Sequence, residues 1–158
     1  MYIGIGSNID PEQNMRSAAA KLRKTFPGIR FSPVYKSPAV GFKDQDDFLN
    51  AAAVFETKLK PEAVAKKLQA IEKALKKKPP HKFGPRTIDL DVLFYDSEIL
   101  LDDRLTVPHL ALHERKFVLQ PLADLGAGEL IHPGFDVTVA AFLKRVAKQR
   151  CMKHALTL

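Results

Sequence analysis

The chain has 158 residues, about one domain's worth, and at that size it needs no staples to fold. Its single cysteine, Cys151, excludes a disulfide framework and points to a reducing compartment. The formal charge of +7 suits an anionic partner, whether nucleic acid, membrane or a phosphorylated small molecule, while no apolar run reaches the ~20 residues of a membrane span.

Ile3 and Ile5 alternate with Gly4 and Gly6, which predicts a short strand ending in a tight turn at Gly6-Ser7-Asn8. No basic stretch with a long apolar run follows Met1, so no signal peptide is expected. Asp10-Pro11-Glu12-Gln13 reads as a helix start, with Asp10 as cap and Gln13 closing a capping box. Met15, Ala18, Ala19, Leu22 and Phe26 recur at helical spacing until Pro27-Gly28. Ile29 to Tyr35 reads as a strand, with Pro33 demanding an edge or a bulge. Ser37 to Asp47 is a loop, and the apolar run Phe48 to Thr57 a strand buried on both faces.

A second helix opens at Pro61-Glu62, carries Val64, Leu68, Ile71 and Leu75 as its core stripe, and stops at Pro79-Pro80. After a loop to Pro85, Thr87 to Tyr95 is a strand, with Glu98 to Leu101 as its hairpin partner. The order strand, helix, strand, strand, helix, strand predicts an α+β chain. Its core is a ferredoxin-like split βαβ antiparallel sheet with helices on one face. From Asp102 onward a C-terminal helical appendix is expected, with helices near Ala111 to Asp124 and Thr138 to Gln149. The tail Cys151 to Leu158 is expected at the surface, and residues 1–158 as a single domain.

Side chains alternate along a strand, so Ile88, Leu90, Val92 and Phe94 face the helices while Thr87, Asp89 and Asp91 face away. Two carboxylates at that spacing have Cα atoms about 7 Å apart and repel without a counterion. A hard divalent cation resolves the repulsion, since Mg²⁺ takes one or two carboxylates plus phosphate oxygens. Arg86, just before them, offers a bidentate phosphate donor. Arg104, His109 and Arg115 form a second set able to converge on a polyphosphate. Asn50 sits inside an apolar run with Phe48 on its face, a carboxamide that can read a heterocycle edge. Gln69 and Glu72 lie three apart on a helix flank, the bland reading being a solvated face. Gly4-x-Gly6-Ser7-Asn8 lacks the features of a phosphate loop, so its glycines are read as allowing a tight turn or a close neighbour.

Four blocks carry a resemblance. They are Ile5-Gly6-Ser7-Asn8; Asp44-Gln45-x-x-Phe48-Leu49-Asn50-Ala51; Gly84-Pro85-Arg86-Thr87-Ile88-Asp89-Leu90-Asp91; and Leu105-Thr106-Val107-Pro108-His109 with Arg115 and Phe117 behind it. With them the chain resembles the 6-hydroxymethyl-7,8-dihydropterin pyrophosphokinase family of folate biosynthesis. The resemblance implies transfer of pyrophosphate from ATP to the pterin hydroxymethyl group, leaving AMP, with two Mg²⁺ ions. It implies that Asp89 and Asp91 hold the metals, with Arg86 and His109 completing the catalytic set. Ser37, Pro38, Val40, Phe48, Asn50 and Phe117 would line the pterin pocket. Gln69, Glu72, Lys77, Arg104, Leu105, Thr106, His109 and Arg115 would bind ATP. The chain departs from the family pattern at Lys76-Lys77-Lys78, where arginines are common, at Phe83 in place of Trp, and at Phe48 in place of Tyr. Lys keeps the charge but loses the planar fork, and Phe48 offers no hydroxyl.

The alternative is a single-stranded RNA-binding module, which shares the element order and the basic charge but stacks bases on an open sheet face. Asp89 and Asp91 on that face would repel phosphate unless metal is present. The expectation is a cytoplasmic monomer acting on small molecules, with no nucleic-acid or membrane partner.

Overall fold

The alternation of Ile3 and Ile5 with glycines sets the middle of the protein. Strand β1, Tyr2–Ser7, buries both isoleucines in a core below the sheet and leaves Gly4 and Gly6 on the upper face. The computed structural model describes residues 1–40, 45–75, 85–102 and 104–158. The α+β assignment holds, with an antiparallel sheet and helices α1 (Pro11–Thr25), α2 (Pro61–Ala74), α3 (Lys116–Leu122) and α4 (Val139–Arg145). The sheet runs β10 (Met152–His154), β3 (Val34–Ser37), β4 (Phe48–Val54), β1, β5 (Asp89–Phe94), and the short β2 (Arg30–Phe31) also pairs with β4. Two further pairs stand apart: β6 (Leu100–Asp102) with β7 (Leu105–Val107), and β8 (Ile131–His132) with β9 (Val137–Thr138).

The lower face carries α1 and α2. Met15, Ala18 and Leu22 of one and Val64, Leu68 and Ile71 of the other meet Ile3, Ile5, Ala51, Ala53, Leu90 and Val92. Burying a Leu- or Ile-sized side chain stabilises by roughly 1.5–3 kcal/mol, so this layer dominates the fold's stability. The upper face is not left open. Leu119 and Leu122 of α3 and Phe142 of α4 pack on Ala52, Leu93 and Phe94. Helices on one face therefore describes α1 and α2 only, since the appendix covers part of the other face. Three consecutive alanines in β4 give both layers a close approach, which accounts for a strand buried on both sides.

Several sequence expectations change for local reasons. Asp10 precedes α1 in a left-handed conformation (φ 40°) and its side chain makes no capping bond. The carboxamide of Asn14 instead donates to the carbonyl of Ile9 at 2.6 Å. The strand expected over Ile29 to Tyr35 is split at Ser32-Pro33, where Pro33 has no N–H to offer the ladder. Ser32 repairs the gap: its N–H donates to Ala52 O and its hydroxyl accepts from Ala52 N–H, both at 2.9 Å. The strand then resumes and includes Ser37, which pairs with Phe48.

On β5, Ile3 pairs with Val92 but Tyr2 with Phe94, so Leu93 is an extra residue. Such a bulge flips the following side chain. Phe94 thus joins the upper core rather than the lower one expected for it. Glu98 to Leu101 is not β5's partner, because Leu100–Asp102 pairs with Leu105–Val107. The segment Ala111 to Asp124 begins as a 3-10 turn at Leu112–Glu114 before α3, which runs on through Ala123–Ala127. The final helix ends at Arg145, short of Gln149, and the tail lies largely at the surface as expected but is tied down there. Met152–His154 pairs with β3, and Leu156 is buried in the lower core. Lys77, with the rest of 76–84 and with Asp44, lies outside the described residues. No described helix is long and apolar enough to cross a membrane.

Candidate active site

A cavity of about 170 Å³ opens on the upper sheet face where α3 stops covering it. The two glycines of β1 make its floor. A Cβ at Gly6 would stand 3.3 Å from Asn50 Oδ1, and one at Gly4 3.3 Å from Leu93 Cδ2. Only a glycine lets the flanking side chains lean this far across the central strand.

The polar contents of the cavity come from three strands and from the segments before β5 and between β7 and α3. On β4, Asn50 is buried and its amide donates to Ser37 Oγ on β3 at 3.0 Å. Phe48 lies on the same face, and Pro38 and Val40 continue the rim. On β5, Asp89 and Asp91 face the cavity together, as strand alternation requires. Asp89 is not without a counterion: Arg86 Nη1 donates to Asp89 Oδ2 at 2.6 Å, with both side chains about a quarter exposed. The far wall holds His109, Arg115, Phe117 and Val118, and Arg115 stands 5.8 Å from the Phe117 ring centre.

His109 is fixed twice, through its N–H to Leu93 O at 3.1 Å and through Nδ1, which accepts from Ala111 N–H at 3.3 Å. With Nδ1 an acceptor, a neutral ring carries its proton on Nε2. Burial, and then the nearby Arg115 charge, hold the imidazole below its ordinary pKa, against an opposing pull from Asp89.

What presents Arg86 was not foreseen. The Ser7-Asn8 pair is buried and ties the end of β1 to the start of the β5 segment. Ser7 Oγ donates to Thr87 O at 2.6 Å, Asn8 N–H donates to Arg86 O at 3.0 Å, and Arg86 N–H donates to Asn8 Oδ1 at 2.7 Å. The Asn8 amide also reaches Gln45 Oε1 and Asp46 O. The sign in the sequence is the polar pair Ser7-Asn8 closing an alternating strand, which local pattern marks as a turn and the resemblance as one of its blocks.

Of the residues expected for the pterin pocket, all six line this one cavity, together with Arg86, Asp89, Asp91, His109 and Arg115. The remaining ATP candidates among the described residues do not line it. Gln69 is exposed on α2. Glu72 is buried rather than on a solvated face, and its Oε1 accepts from Leu90 N–H at 2.9 Å. Arg104 is exposed at the β6–β7 turn, with Leu105 and Thr106 half-buried on β7. α2 packs against both β5 and β7, so the elements that carry or adjoin these residues meet beside the carboxylate strand.

Among the described residues no cluster of three His, Cys, Asp or Glu could hold a metal unaided. The Asp89–Asp91 pair does fit Mg²⁺ in another way. It supplies two hard oxygen donors on one cavity wall, the number this ion takes when substrate phosphates complete its shell.

The sequence pattern of the 7,8-dihydro-6-hydroxymethylpterin-pyrophosphokinase family matches residues 2–127. The match leaves α4 and β10 outside it. The chain is also similar to the 2-amino-4-hydroxy-6-hydroxymethyldihydropteridine pyrophosphokinase of Methylorubrum extorquens, at 41% identity over 142 residues, covering 88% of this chain and 89% of the relative. The enzyme of the same name from Haemophilus influenzae is 35% identical over 155 residues, 96% of each chain. That of Bacillus subtilis is 39% identical over 127 residues, 78% of this chain and 76% of its own. A family match over most of the chain, and relatives of this identity matched over three quarters or more of their length, agree with the cavity's contents: the chain belongs to the 7,8-dihydro-6-hydroxymethylpterin-pyrophosphokinase family.

Proposed function

We propose that this protein transfers pyrophosphate from ATP to the hydroxymethyl group of 6-hydroxymethyl-7,8-dihydropterin and releases AMP, a step of folate biosynthesis. The observation that carries the reading is the single cavity joining a buried carboxamide, an aromatic wall and a paired carboxylate strand. The bond formed runs from the hydroxymethyl oxygen to the β-phosphorus of ATP. The bond broken runs from that phosphorus to the oxygen that leaves with AMP. The hydroxyl proton passes to solvent.

Transfer of this kind depends on positioning and charge neutralisation more than on covalent help. Asn50, held by Ser37, presents its remaining amide hydrogen and oxygen to the pterin edge. Phe117 and Phe48 supply apolar faces for the ring. Arg86 and Arg115 offer guanidinium donors to phosphate, and His109 donates from Nε2 while its Nδ1 is engaged. Asp89 and Asp91 would hold magnesium, in the two-ion arrangement the reading adopts. When bound, that magnesium neutralises phosphate charge and favours the leaving oxygen. Gln69, Glu72, Arg104, Leu105 and Thr106 are assigned to the nucleoside end of ATP because the elements that carry or adjoin them meet beside β5.

We read the sheet as ferredoxin-like: with β2 and β10 set aside, the order β3-β4-β1-β5 supports the split βαβ pattern. A single domain is supported by β4, whose Ala51 and Ala53 belong to the lower core and Ala52 to the upper. The RNA-binding alternative asks for an open sheet face, and α3 lies across part of this one. A coupled assay for AMP release tests the reading. Release that requires ATP, Mg²⁺ and the pterin alcohol together is the expected result. ATP turnover indifferent to the pterin overturns it.

A further inference from the structure

Arg115 and Phe117 reach the cavity from the start of a short helix whose buried face is packed but whose first turn has no cap of its own. Helix α3 has 7 residues, and Arg115, at its N-cap position, provides no side-chain cap. Its first N–H, that of Lys116, is one of the orphan donors of a helix start. A residue from far along the chain supplies the missing partner. Gln149 Oε1 accepts from Lys116 N–H at 2.9 Å, while Gln149 Nε2 donates to Glu114 O at 2.8 Å. One carboxamide thus grips the backbone on both sides of Arg115, whose own backbone is extended (φ −123°, ψ 108°). Lys116 Nζ adds a third tie, to Ala147 O at 2.7 Å.

The segment that carries Gln149 is anchored at both ends. Upstream, Gln149 N–H donates to Val146 O at 3.0 Å, just past α4. Downstream, Met152 pairs with Lys36 on β3, next to the cavity residue Ser37, and Leu156 is sunk in the lower core. The same stretch therefore touches both walls of the cavity, the Arg115–Phe117 wall through Gln149 and the Ser37 wall through strand pairing.

We propose that Gln149 is a positioning residue for the reaction, its carboxamide clamping Glu114 and Lys116 so that Arg115 and Phe117 are presented to phosphate and pterin. The assignment rests on the pyrophosphokinase reading of the cavity. Gln149 is exposed and both of these side-chain hydrogen bonds go to backbone groups, so its effect passes through the backbone it grips.

The test pairs amide exchange at Lys116, followed by NMR, with binding of 6-hydroxymethylpterin in the presence of a non-hydrolysable ATP analogue and Mg²⁺. In the parent protein the Lys116 amide is expected to be protected, unusual for the first residue of a helix. In Gln149→Ala that protection is lost, and pterin affinity falls roughly five- to tenfold, the scale of one lost hydrogen bond. The melting temperature stays within about 2 °C, because the removed groups are solvent-exposed. Gln149→Glu keeps the acceptor for Lys116 but not the donor for Glu114, so it restores amide protection and recovers only part of the affinity. Lys148→Ala, the neighbouring control, changes neither readout. Fast exchange at Lys116 in the parent overturns the clamp itself. Loss of protection in Gln149→Ala with pterin affinity unchanged overturns the positioning role. A parent that binds neither probe overturns the functional reading and the positioning role with it, while the exchange data still decide the clamp.

Discussion

The side-chain oxygen of Asn8 accepts the backbone N–H of Arg86 at 2.7 Å, and the backbone N–H of Asn8 returns a bond to the Arg86 carbonyl at 3.0 Å. This reciprocal pair joins residues 78 apart and sets the point from which Arg86 reaches Asp89. Replacing Asn8 by Ala leaves the Arg86 N–H without its acceptor in a buried corner. The expected cost is about 1–3 kcal/mol, read by urea unfolding. Turnover should fall further than stability explains, because Arg86 loses its backbone anchor. A variant with parental stability and turnover would remove the pair from any role.

The two carboxylates of β5 should separate in stability and agree in activity. Asp89 is engaged with Arg86 in a partly shielded pair, whereas Asp91 is exposed. Asp89→Asn should therefore cost about 1–3 kcal/mol, and Asp91→Asn, at a more exposed carboxylate, less than that. Both should lower turnover by orders of magnitude at saturating Mg²⁺, measured as AMP release. Near-parental turnover in both variants contradicts the metal assignment.

Asn50 and Gly6 make a linked prediction about the pterin. Asn50→Ala removes a buried hydrogen-bonding group and should weaken pterin binding by about 1–3 kcal/mol with little change for the ATP analogue. Gly6→Ala should act in the same direction by a different route, since its new Cβ would crowd Asn50 Oδ1 at 3.3 Å and turn the carboxamide. Calorimetry with each ligand checks both. Equal losses for pterin and nucleotide would contradict the division of the site.

The pH dependence of stability follows from two histidines. Burial is the main cause that lowers the pKa of His109 and of His132, helped by Arg115 in the first case and by His113 in the second. Below about pH 6.5 the unfolded chain binds protons that the folded protein resists. Their contribution is thus complete above that pH and is lost as pH falls toward the lower folded-state values. Urea unfolding between about pH 7.5 and pH 5 should show stability declining on the acid side. His132→Asn, which keeps an acceptor at the position of the Nδ1 that now bonds the Gly134 N–H, should flatten that decline. An unchanged slope would place the titration elsewhere.

Much of the site was legible in the sequence because its signals are local. Alternation put Asp89 and Asp91 on one face, the period of α1 and α2 marked their buried stripes, and a lone Asn in an apolar run marked Asn50. Each depends only on residues a few positions apart, where the geometry of a strand or helix fixes direction. The tertiary structure decided what depends on partners distant in the chain. The bulge at Leu93 moved Phe94 to the other core, Tyr2 and Ile3 being the residues that register against it. Glu72 turned from solvent to the Leu90 N–H because β5 came to lie beside α2. Above all, the tail beyond Arg150 has no periodicity to announce a strand, and only the unpaired edge of β3 could order it. A hydrogen-bond ladder needs its second strand in place before the sequence of the first has a structural meaning, and no local pattern supplies that partner.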